Sequence, residues 1–102
     1  MAPVDPTCVV ILDQPTAELR EAAHEIIRTN ANGWWHRMPD IWIVGGIEPR
    51  AWRDLLQPVI ARFPGSSVFV LRLPAKEGNR SWSYFGVNAK ERMEWIHDNY
   101  LR

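Results

Sequence analysis

Apolar residues in this chain fall into blocks whose spacing switches between continuous and helical. Cys8 to Leu12 is an unbroken apolar run rich in Val and Ile, the pattern of a strand covered on both faces or central in its sheet. Asp13-Gln14-Pro15-Thr16 stops it, and Leu19, Ala22, Ala23, Ile26 and Ile27 then recur at helical spacing. Thr16 is placed to cap that helix, with Glu18 near its positive end and Arg28 near its negative one. Asn30 to Gly33 supplies residues that tolerate a left-handed exit. Next, Trp34 to Gly46, WWHRMPDIWIVGG, reads as two short strands joined at Met38-Pro39-Asp40 and stopped by Gly45-Gly46. A second helix follows: Pro49 suits the first helical position, and Trp52, Leu55, Leu56, Val59, Ile60 and Phe63 form one stripe. Pro58 lacks the amide that would bond the Asp54 carbonyl, which predicts a kink or a second helical piece. Ser67 to Leu73 gives another strand after Pro64-Gly65. Lys76 to Arg80 reads as a loop, and Arg80 to Gly86 as an edge strand with Trp82 and Tyr84 on one face. Asn88 caps a final helix with Glu91 three residues on, and Ala89, Met93, Ile96 and Tyr100 form its apolar line.

Two helices, each linking strands, with a hairpin between them predict an α+β fold: an antiparallel sheet carrying both helices on one face, the ferredoxin-like sandwich, followed by a C-terminal strand and helix. A parallel three-layer fold would need helical crossovers between every strand pair, which the hairpin denies. At 102 residues the chain is one domain, with Met1 to Thr7 as a loose lead-in.

Acids and bases balance at twelve each, so no general attraction to duplex nucleic acid or an anionic bilayer is built in, and a nucleic-acid contact would have to be local. The single cysteine, Cys8, excludes an internal disulfide, suits a reducing cytoplasm, and is expected to pack at the start of the first strand. The opening apolar run is too short for a secretion signal or a membrane span, so a soluble, retained protein is expected.

In this layout the chain resembles the small ferredoxin-like superfamily of the CRISPR-associated adaptation nuclease subunit and the virulence-associated protein D ribonucleases, and within it the short bacterial members of no assigned activity. The residues that carry the resemblance are VVILD, with Asp13 closing the first strand, and the paired strands WWHRMP and DIWIVGG. Arg80-Ser81-Trp82, leading through Gly86 to Glu94-Trp95-Ile96, is similar to the tails of those short members. Two positions depart from the nuclease pattern. Leu12 precedes Asp13 where an aromatic residue is usual, and the arginine-rich hairpin is reduced to His36 and Arg37. The resemblance implies a homodimer with a metal-dependent ribonuclease or nucleic-acid-associated role.

Asp13 is then the candidate catalytic carboxylate and metal ligand, meeting its symmetry mate across a two-fold axis to hold magnesium. Its ordinary alternative is to cap the helix that follows. His36 could move protons near neutral pH while Arg37 holds a phosphate, or both could be surface side chains lying along tryptophan. His24 and His97 lack a ligand-spaced partner, which argues against zinc. Six tryptophans are a clear excess. Trp42 and Trp52 are expected in the core. Trp34, Trp35 and Trp82, beside Arg37, Lys76 and Arg80, could stack on the bases of single-stranded RNA. The same residues could instead form a dimer seam or bind a protein partner, which would make the chain a non-catalytic interaction module. Gly-rich phosphate loops, serine-nucleophile motifs and paired-cysteine metal motifs are absent from the sequence.

Overall fold

The computed structural model describes residues 6–74, 86 and 88–99. Of the lead-in expected over Met1 to Thr7, residues 1–5 lie outside the described residues, while Thr7 is buried at the start of the first strand. The loop expected over Lys76 to Arg80, the edge strand expected over Arg80 to Gly86 except its last residue, and Tyr100 also lie outside them. The elements are β1 (Thr7–Asp13), α1 (Ala17–Asn30), β2 (Gly33–Met38), β3 (Ile41–Gly45), α2 (Pro49–Ile60), β4 (Ser67–Arg72) and α3 (Ala89–Asn99). The sheet order is β2-β3-β1-β4 with every pairing antiparallel, so the chain has the ferredoxin-like α+β fold. β1 sits between β3 and β4, which accounts for its continuous apolar run: Cys8, Val10 and Leu12 face one layer while Val9 and Ile11 face the other.

Thr16 caps α1 as expected, its Oγ1 accepting the Leu19 amide at 3.1 Å. The exit of α1 is not left-handed. Ala31 is extended, with φ −79° and ψ 148°, because Asn32 joins the sheet at once and donates its amide to the Gly45 carbonyl at 2.9 Å. α2 runs unbroken through Pro58, which is exposed and lies in the last turn. There the Asp54 carbonyl that loses its donor can be served by water.

The main core joins Leu19, Ala23 and Ile27 of α1 and Trp52 and Leu56 of α2 to Cys8, Val10, Leu12, Trp42 and Val44 of the sheet. Burial of each large side chain there contributes about 1.5–3 kcal/mol. Trp34 and Trp35 are neighbours in a strand and so point to opposite faces. Trp34 packs on the main core, whereas Trp35 packs with Met93 and Ile96 of α3 against Ile43. The two crossover helices thus share one face as expected, while α3 covers the β2–β3 end of the other. Toward β4 that second face stays open, with Phe69 58 % and Leu71 49 % exposed.

Candidate functional site

The β2–β3 hairpin contains an irregularity that concerns function. Trp35 lies opposite Ile43 and Met38 opposite Ile41, so two residues of β2, His36 and Arg37, face the single residue Trp42. This is a bulge, which breaks the ladder locally and re-aims side chains. The two residues singled out for chemistry on the hairpin are the two it displaces.

His36 lies flat on the buried indole of Trp42, with ring centroids 4.1 Å apart and planes 17° from parallel. His24, on α1, stands beside both: its ring is 5.2 Å from that of His36, and its Nδ1 accepts the Trp42 indole N–H at 3.1 Å. A neutral His24 therefore carries its proton on Nε2. Burial against Trp42 lowers the pKa of His36 below its ordinary 6.5, and His24 adds to that, while the Pro39 carbonyl and Asp40 pull the other way. His36 Nε2 is 3.1 Å from the Pro39 carbonyl. Donation from that nitrogen leaves Nδ1 as an acceptor, the state a general base requires. The turn is tied to α1 by an ion pair, Arg20 Nε to Asp40 Oδ1 at 2.6 Å.

On the other side of the hairpin a cleft of about 390 Å³ opens between the turn and the first turn of α3, lined by His36, Arg37, Met38, Pro39, Asn88, Glu91 and Arg92. Asn88 is left-handed, with φ 53°, and its carbonyl accepts the Arg92 amide at 3.0 Å, so α3 presents its positive end here. Two guanidiniums and one carboxylate line the cleft. Trp35 anchors this arrangement from below: it is 5 % exposed and its indole donates to the Arg92 carbonyl.

Asp13 lies at the same end of the sheet, since the Leu12 amide donates to the Asp40 carbonyl at 2.9 Å. The carboxylate is exposed and accepts a long hydrogen bond, 3.4 Å, from Ser67 Oγ; the α1 cap is Thr16. Among the described residues no group of three or more His, Cys, Asp or Glu gathers where it could hold a metal ion. Within one chain Asp13 thus supplies a single carboxylate to a would-be magnesium, too little to fix such an ion alone. Lys76, Arg80, Trp82 and the His97 side chain lie outside the described residues. Cys8 is buried as expected. Its thiol meets the Ile47 carbonyl at 3.4 Å, and its pKa is pushed up to about 11, chiefly by burial and then by Glu48, with Arg72 opposing.

Three participants escaped the sequence reading. His24 has no ligand-spaced partner in the sequence, and only the fold brings it to Trp42. Asn88 and Arg92 gained a place near the hairpin because α3 chose the second face of the sheet, a choice no local signal encodes. Among the described residues no helix is long and apolar enough to cross a membrane. No family model matches the chain, and neither a curated protein nor a solved structure does.

Proposed function

We propose that the protein is a cytoplasmic nucleic-acid-associated domain, acting as a homodimer, that holds single-stranded RNA by its phosphates in the hairpin cleft. The observation that carries this reading is the bulge, where Arg37 leaves the ladder to line the cleft with Arg92 and the positive end of α3, while the His36 ring stays stacked on Trp42 at its border. Guanidinium forks suit phosphate oxygens, and a local cationic site of this kind needs no excess of positive charge on the whole chain. In a metal-dependent form of the reading, Asp13 would be one magnesium ligand and a second carboxylate would have to come from another copy.

Fluorescence anisotropy with labelled single-stranded RNA at low salt tests the proposal. Binding in about the micromolar range is expected, with Arg37→Ala weakening it several-fold and lowering the salt dependence by about one counterion. RNA binding that is absent, or indifferent to Arg37→Ala, rejects the cleft. Magnesium-dependent cleavage lost in Asp13→Ala would extend the role from binding to catalysis.

A second reading, a protein-interaction module, is favoured by the open apolar side chains of Phe69 and Leu71. Its binding would be nearly insensitive to salt.

A further inference from the structure

We propose that β4 pairs antiparallel with β4 of a second copy, Phe69 lying opposite its own counterpart on the two-fold axis, so that the described sheets of two chains join into one. The inference concerns the edge of the sheet opposite the hairpin cleft, and it stands or falls independently of RNA binding.

The ladder itself shows which groups are available. The Leu73 amide donates to the Thr7 carbonyl at 2.9 Å, and the register pairs Leu71 with Val9, Phe69 with Ile11 and Ser67 with Asp13. In an antiparallel pair the bonding direction alternates along each strand, so Ser67, Phe69 and Leu71 spend their backbone groups on β1. Val68 and Val70 aim theirs away from the sheet. β4 is the last strand in the order, and among the described residues no strand pairs with its outer side. Val68 to Leu71 carries neither a charge nor a proline, the devices by which solvent-facing edges are usually blunted.

The strand is complementary to itself. With Phe69 on the axis, Val68 of each copy falls opposite Val70 of the other, which satisfies four outward N–H and C=O pairs. Phe69 then occupies a site without backbone bonds, where opposing Cα atoms approach to about 4.5 Å and aromatic side chains meet. Among the described residues, charge beside the edge is paired internally, Arg53–Asp54 at 3.0 Å and Arg72–Glu48 at 3.1 Å, so these pairs set little field against a second copy. The area covered by one six-residue strand and two half-open side chains is small beside the roughly 800 Å² per partner of a firm complex. A concentration-dependent dimer with a dissociation constant of about 10 µM is therefore expected.

Sedimentation velocity between about 1 µM and 1 mM, a range spanning that constant, reads the oligomer directly. Dimer formation that Phe69→Lys abolishes, with unchanged circular dichroism, supports the pairing. Cysteine cross-linking reads the register, because the native Cys8 thiol is buried. Phe69→Cys should form an intermolecular disulfide under mild oxidation. Leu71→Cys should not, since in this register its two copies lie about 14 Å apart along the strands. A chain that stays monomeric through 1 mM, a dimer indifferent to Phe69→Lys, or cross-linking through Leu71→Cys in preference to Phe69→Cys overturns the proposal.

Discussion

His36 holds two roles that pull on the same proton. As a lid on Trp42 it stabilises the fold best when neutral, and as a lining residue of the cleft it would greet a phosphate best when charged. The structure favours the neutral form, because burial and the neighbouring His24 outweigh the Pro39 carbonyl and Asp40. The pKa of His36 is thus lower in the folded chain than in the unfolded one. Between the two values the unfolded chain binds more protons, so stability is full above about pH 6.5 and is lost as pH falls through the lower folded value. His24 on α1 and Asp40 in the turn also act on the ring, so the contribution is isolated by difference. The urea midpoint should fall more between pH 7.5 and pH 5 in the wild type than in His36→Gln. Equal falls in the two proteins would show that His36 does not sense pH.

At the level of elements, α1 and α2 were legible from apolar stripes at helical spacing, and β1 and the hairpin from short runs rich in β-branched and aromatic residues bounded by turn residues. Other features were not, for definable reasons. The exit of α1 depends on Asn32 entering the ladder at once, which the residues Asn30 to Gly33 do not announce. The side of the sheet taken by α3 turns on which of Trp34 and Trp35 faces which layer, and two adjacent tryptophans give no contrast to decide it. The bulge at His36 and Arg37 reflects a mismatch between β2 and a two-residue turn, which is geometric rather than compositional. Gly45-Gly46, read only as a stop, proves stricter than that. Gly46 has φ +99°, and a Cβ there would meet the Asn32 side chain at 2.6 Å, while its amide donates to the Pro6 carbonyl at 2.9 Å. Gly46→Ala is expected to cost about 2 kcal/mol in urea unfolding, from backbone strain and the clash together. Adding Asn32→Ala should recover the steric part and leave the rest. A Gly46→Ala protein as stable as the wild type would mean that the chain turns here in another way.

For the whole molecule, a dimer paired through β4 and a dimer sharing magnesium between its Asp13 carboxylates exclude each other. A magnesium ion shared across a two-fold axis needs both Asp13 carboxylates within about 2.1 Å of it. Asp13 is paired with Ser67, two residues from the axis that Phe69 would mark, and β1 is one strand further in than β4. With strands about 4.8 Å apart and a rise of about 3.4 Å per residue, β4 pairing sets the two Asp13 residues about 14 Å apart across the sheet and about 14 Å along it. The resulting separation of about 20 Å excludes a common ion. The dimer formed through β4 should accordingly have the same dissociation constant with magnesium or with chelator, and in Asp13→Ala as in the wild type, when followed by sedimentation. A dimer that magnesium tightens tenfold, and that Asp13→Ala loses, would put the axis at the end of β1 instead. Phe69 and Leu71 would then be left for another partner, and Asp13 would regain the second carboxylate that it lacks within its own chain.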